Sequence, residues 1–221
     1  MPRQTERPGK VGRPPRLSRE AIVAAADQML RTEGADSLSM RRLAKELGST
    51  PMALYHHVRD KDELLLLLLE SHAQHIPQRE FPDDPRERLL EAAFTLYEGL
   101  AERLWIIEVL ATDPVIVPAA MGMVEMIIAA AVDYGCTLEE AVDVYRAIWY
   151  FIVGDLTVRA SRDRRRARLA ASSAAEPGID QLDLAELPTL AAIGDQWVES
   201  TSRDIHRKGL EAIVNGLLPQ R

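Results

Sequence analysis

One stretch of this chain, Leu38 to Val58, leaves few options for how it can fold. It reads Leu-Ser-Met-Arg-Arg-Leu-Ala-Lys-Glu-Leu-Gly-Ser-Thr-Pro-Met-Ala-Leu-Tyr-His-His-Val. Ser39 can cap a short helix over 40–47, and Gly48 ends it. After a Ser49-Thr50 turn, Thr50 can cap a second short helix whose first position is Pro51, where no amide donor is missed. Leu43, Ala44, Leu47, Leu54 and Val58 supply the apolar contacts between the two helices. Ala44 is small where two helices joined by so tight a turn must come closest. Upstream, Ser18 caps a helix that places Ile22, Ala26, Met29 and Leu30 on one face and runs to about Thr32, with Gly34 as its stop. The pattern is a helix-turn-helix within a three-helix domain, residues 18–63.

In a helix-turn-helix the second helix enters the major groove of DNA, its N-terminal residues meet base edges, and flanking side chains hold phosphates. The exposed candidates on that helix are Thr50, Pro51, Met52, Ala53, Tyr55 and His56. Thr50 and His56 can hydrogen-bond, and Met52 and Ala53 can contact a thymine methyl. Arg41 and Arg42, on the first helix of the motif, and Lys61, opening the next helix, are placed to meet phosphate. The alternative is an ordinary helical hairpin with solvated charges; the agreement of caps, Ala44, Gly48 and Pro51 in one register favours DNA. A formal net charge of −7 argues the other way only as an average. Residues 1–19 hold six Lys and Arg against Glu6 alone, a balance of +5, so the other 202 residues carry −12. Residues 1–17, rich in Arg, Pro and Gly, read as a flexible basic arm.

Asp60 caps a fourth helix that carries the Leu64–Leu69 run to about His75, before Pro77, Pro82 and Pro85 break the chain. Helical stretches follow over 85–104, 105–112, 118–134, 138–161 and 188–217, with 162–186 expected as a flexible loop on its Arg-rich and then Ala/Ser/Pro/Gly composition. No period-2 pattern appears, so the fold class is all-α, with residues 64–221 forming a larger helical domain for ligand binding and dimerisation. At 47% hydrophobic the chain can fill such a core. Phe94, Tyr97, Trp105, Met123, Met126, Tyr145 and Trp149 can line a pocket, and each also suits an ordinary core; Arg146 can be a buried anchor for an anionic ligand there, although such an Arg is more often partnered and partly exposed. Helix 138–161 is apolar on two faces, one stripe of Val142, Tyr145, Trp149, Ile152 and Leu156 and another of Ala141, Val144, Ile148 and Phe151. That width suits a homodimer built on helices 138–161 and 188–217, the alternative being a thick monomeric core.

Lesser signals carry less. His72 and His75 lack a third metal ligand, so no metal is expected, and no cofactor is implied. Cys136, after Gly135, can have a lowered thiol pKa, although a small buried residue is the simpler reading. One cysteine and the absence of a long apolar run fit a cytoplasmic protein. There is no Gly-rich phosphate loop, no Gly-x-Ser-x-Gly and no His-Glu-x-x-His, so no enzyme is expected.

The stretch Leu17 to Leu65, above all Leu54-Tyr55-x-His57-Val58-x-x-Lys61, resembles the DNA-binding domain of the TetR family of transcriptional regulators. The resemblance implies a homodimer that binds a palindromic double-stranded operator, usually represses, and is released when a small molecule occupies the C-terminal domain. By matching positions, it implies phosphate contacts or support from Tyr55, His57 and Lys61, with Arg41 near the groove and Thr50 to Ala53 reading bases. The expected function is thus a one-component repressor released by a small, largely apolar ligand. A helical DNA-binding or scaffold protein without an inducer is the alternative.

Overall fold

A computed structural model describes residues 17–76, 79–112, 116–172 and 183–220. Among them there are helices and turns and no strand. The chain divides into two compact units, residues 1–71 and 72–221, the division falling inside one helix. Of the expected basic arm, all but Leu17 lies outside the described residues.

The first unit holds α1 (Arg19–Glu33), α2 (Met40–Glu46), α3 (Pro51–Tyr55) and most of α4 (Lys61–Ala73). Each start follows from a short polar side chain bent back on the backbone. Ser18 Oγ accepts from the amide of Ala21 at 3.1 Å, Ser39 Oγ from Arg42 at 3.3 Å, Thr50 Oγ1 from Ala53 at 3.3 Å, and Asp60 Oδ1 from Glu63 at 2.8 Å. α2 stops because Gly48 takes φ +59, a conformation that a side chain would strain. Its neighbour then closes the turn, the Ser49 amide donating to Ala44 O at 2.8 Å. Ile22, Ala26, Leu30, Leu43, Ala44, Leu54, Val58 and Leu64 are buried to 1% exposure or less. Each of the larger ones contributes about 1.5–3 kcal/mol by leaving water. Leu47, expected in this core, is only half-buried.

The second unit is built around α5 (Pro85–Ala101), on which Leu89, Leu90 and every residue from Ala92 to Tyr97 are buried. A helix covered on so many sides needs several partners. These are α7 (Met121–Tyr134), α8 (Leu138–Ser172) and α11 (His206–Leu217), while α6 (Trp105–Thr112) packs on α8. The short α9 (Pro188–Ile193) and α10 (Trp197–Ser202) complete the series. Gly209 lets α11 approach α8: a Cβ there would sit 2.3 Å from the Phe151 ring.

Three expectations need correction. The first is the loop assigned to 162–186, because α8 runs unbroken to Ser172, over 35 residues. Arg, Ala and Leu are strong helix formers, and 162–172 contains neither Gly nor Pro, so the charge run continues the helix. Residues 173–182 lie outside the described residues. The second is the single helix expected over 188–217. It breaks at Gly194, which takes φ +49, and again at 203–205, giving three helices. The third is the pair of stripes on α8. Ile152 and Leu156 are fully buried together with Ala141, Val144 and Ile148, while Val142 is 43% exposed and Tyr145 and Trp149 are half-buried. The buried stripe therefore follows 141, 144, 148, 152 and 156, as a straight helix with 3.6 residues per turn requires.

Candidate nucleic-acid interface

The caps that start α2 and α3 also fix what these helices present. With Leu43, Ala44 and Leu54 turned into the core, Arg41, Arg42, Thr50, Pro51, Met52, Tyr55 and His56 are left exposed. Met52 is 69% exposed and Tyr55 46%, an arrangement that costs solvation for a large apolar and an aromatic side chain unless a partner covers them. Ala53, His57 and Lys61 are half-buried. The candidates of α3 thus share its outer side, and His57 and Lys61 sit at the margin of the unit rather than out in solvent.

The outer side of α2 borders an open groove of about 780 Å³ lined by Ser39, Arg41, Arg42, Lys45 and Glu46. Three cations against one carboxylate give it positive character, suited to a phosphate backbone. Arg42 is not loose within it: its Nη2 donates to Glu33 Oε1 at the end of α1. That hydrogen bond, with the Glu33 charge second, raises the guanidinium pKa. A second carboxylate, Glu63, accepts from the backbone amide of Arg59 at 2.5 Å and from Arg19 Nη2 at 2.7 Å. Its pKa is lowered, chiefly by that amide. Glu33 and Glu63 were not among the candidates read from the sequence. Glu33 lies nine residues before Arg42 in another helix, and no local spacing links them.

The pocket candidates scatter over the second unit. Phe94, Tyr97 and Trp105 are buried, Met123, Met126, Tyr145 and Trp149 are half-buried, and Arg146 is exposed. Of the two readings open for Arg146, the structure has the partnered, exposed one rather than the buried anchor: it reaches Asp143 at 3.4 Å and the Tyr150 hydroxyl at 3.3 Å on the outer side of α8. Tyr97 donates to Asp155 at 2.6 Å, and its ring stacks on that of His206 at 4.2 Å and 5°. Burial, and after it the Asp155 hydrogen bond, pushes the Tyr97 hydroxyl pKa upward. Arg207 lies 4.3 Å over the Phe94 ring. Phe94 and Tyr97 thus hold α11 on α5. Two buried polar atoms, Thr95 Oγ1 and Trp105 Nε1, have no hydrogen-bond partner among the described residues.

The remaining sequence candidates resolve simply. A ring nitrogen of His72 faces Gly99 O at 3.1 Å, and no group of three or more His, Cys, Asp or Glu able to hold a metal occurs among the described residues. The Cys136 thiol is raised, not lowered, in pKa, by burial and then by Glu140. No helix among the described residues is long and apolar enough to cross a membrane.

Comparison with known proteins bears on the whole chain. Residues 22–68 match the model of bacterial regulatory proteins of the tetR family, and residues 77–221 match that of the tetracyclin repressor-like C-terminal domain. The HTH-type transcriptional repressor DrrR1 of Streptomyces coeruleorubidus is 34% identical over 146 residues, 65% of this chain and 54% of DrrR1, so the match spans little more than half of that repressor. The tetracycline repressor protein class A from transposon 1721 of Escherichia coli is 28% identical over 213 residues, 93% of each chain. The crystal structure of the Streptomyces coelicolor TetR family protein ActR in complex with actinorhodin superposes with a TM-score of 0.69 at 27% identity, covering 92% of this chain and 97% of ActR. These matches are to regulators of transcription, not to enzymes.

Proposed function

The chain belongs to the TetR family of bacterial transcriptional regulators, and from that membership we propose that it is a repressor that binds a palindromic operator as a homodimer and is released by a small, largely apolar effector. The observation that carries the DNA-binding half is the joint exposure of Met52 and Tyr55 on α3, in the same unit as the groove that Arg41, Arg42 and Lys45 line on α2. Thr50, Pro51, Met52 and Ala53 read bases; Tyr55, His56, His57, Lys61, Arg41 and Arg42 hold the backbone. A homodimer is supported by the unpartnered stripe of α8, where Leu138 is 72% and Val142 43% exposed ahead of the half-buried Tyr145 and Trp149. In a two-fold dimer the same patch meets itself and sets two recognition helices about 34–36 Å apart. The effector is received by the second unit, where Thr95 Oγ1 and Trp105 Nε1 hold unused hydrogen-bonding capacity in an apolar interior. ActR, with its bound actinorhodin, is the structural precedent.

An effector releases DNA only by binding more tightly to a conformation whose two recognition helices no longer match successive grooves. α4 runs through the boundary of the two units, which makes it the connection such a change must use. A protein working this way is cytoplasmic, beside its DNA. Anisotropy titration of the full chain with the intergenic DNA next to its gene tests the reading, together with a thermal-shift screen of small molecules. Saturable, salt-dependent binding relieved by a compound that also raises Tm is the expected result. Binding that no stabilising compound relieves would leave a constitutive DNA-binding protein.

A further inference from the structure

We propose that Glu33 is an internal competitor for the phosphate-binding guanidinium of Arg42, so that the head meets DNA with one of its groove cations already occupied. The inference rests on the DNA-binding reading above and adds to it a residue that weakens binding.

The groove on α2 contains three cations, Arg41, Arg42 and Lys45. Arg41 and Lys45 have no ion-pair partner among the described residues, whereas Arg42 is held by a carboxylate. Glu33 lies outside the groove lining, at the last position of α1, and reaches across to Arg42. The second acid, Glu46, is part of the lining and affects Arg42 only through its charge. Both members of the Arg42–Glu33 pair are open to water, with side-chain exposures of 47% and 42%. Such a pair adds little to folding and can be exchanged for another anion without unfolding anything.

The consequence is specific. An arginine that neutralises a DNA phosphate releases condensed counterion, and each such contact adds about −0.9 to the slope of log K against log salt. When Arg42 moves from Glu33 to a phosphate, the ion released from DNA is offset in part by the cations that the freed Glu33 carboxylate attracts, so the contact adds less than its full share to the slope. With glutamine at position 33, Arg42 has nothing to leave, and its release counts in full.

The experiment uses the full chain and a fluorescein-labelled duplex of arbitrary sequence, because a phosphate contact is blind to sequence. Glu33→Gln should tighten binding about three- to eightfold near 0.1 M salt and steepen the salt slope by up to about 0.9. Glu46→Gln measures what removing one negative charge does through its field alone, and should gain less. In an Arg42→Ala background, Glu33→Gln should gain no more than Glu46→Gln does. Unchanged affinity in Glu33→Gln overturns the proposal, as does an equal gain with and without Arg42, which would make Glu33 one more diffuse charge. Absence of salt-dependent binding by the parent protein overturns the DNA-binding reading itself and is told apart by needing no variant.

Discussion

Leu54 illustrates how much one side chain settles in a domain this small: it is fully buried between the two motif helices, while its neighbours Met52 and Tyr55 stay exposed. Leu54→Ala removes contact where the short α3 cannot collapse to fill the space, and should destabilise the first unit by about 2–5 kcal/mol in chemical denaturation. Tyr55→Ala, by contrast, should leave stability within about 0.5 kcal/mol while weakening affinity for all DNA sequences alike; Met52 variants should change which sequence is preferred. Competition between operator and random duplex in gel shifts separates the two. In the second unit, Gly209→Ala pushes a methyl into the Phe151 ring and should cost about 1–3 kcal/mol, with most of the loss recovered by Phe151→Leu in the same denaturation assay. Position by position, caps were the most legible feature: Ser18, Ser39, Thr50 and Asp60 are at work where the sequence places them, because a cap is a matter of a few adjacent residues. Glu33 was not legible, since an ion pair between helices depends on which helix lies alongside, and helical periodicity does not say.

At the scale of the element, α8 shows how composition misleads. A run of arginines looks solvated, and it is, yet solvated residues with good helix propensity extend a helix that the core has already nucleated. Ala167→Pro, within the Arg-rich turns, should therefore lower far-ultraviolet helicity and unlock the last turns of α8 to amide exchange, while nearly all the buried positions of α8 lie earlier, by Leu156. A loop there would show neither change. The start of α11 depends on an acid: Asp204 accepts from the His206 amide at 3.0 Å and from its ring at 2.5 Å. These contacts hold the Asp204 carboxyl below its ordinary pKa, the amide bond being the largest cause. A depressed pKa means stability that is full above the unfolded value and is lost as pH falls through the folded one. The stability gap between the parent and Asp204→Asn should be widest near neutral pH and close below about pH 4. The breaks at Gly194 and 203–205 explain why one apolar pattern over 188–217 read as one helix: periodicity survives a kink that the backbone does not.

For the whole molecule, two units with their own cores predict two structural transitions rather than one. Leu54→Ala should move one and Gly209→Ala the other in calorimetry of the full chain, whereas a single transition moved by both would mean the units unfold together. The two units also close on different schedules. The core of the first, from Ile22 to Leu64, is complete within the opening third of the chain. That of the second waits for Leu210 and Val214, and Arg86 on α5 meets Asn215 across 129 positions. At roughly 5–20 residues per second of synthesis, about 7–30 s separate the emergence of Ser71 from that of Val214. During that interval the nascent chain has its first core complete and its second still open, so a chain ended before α11 would keep the fold of the first unit and lose that of the second.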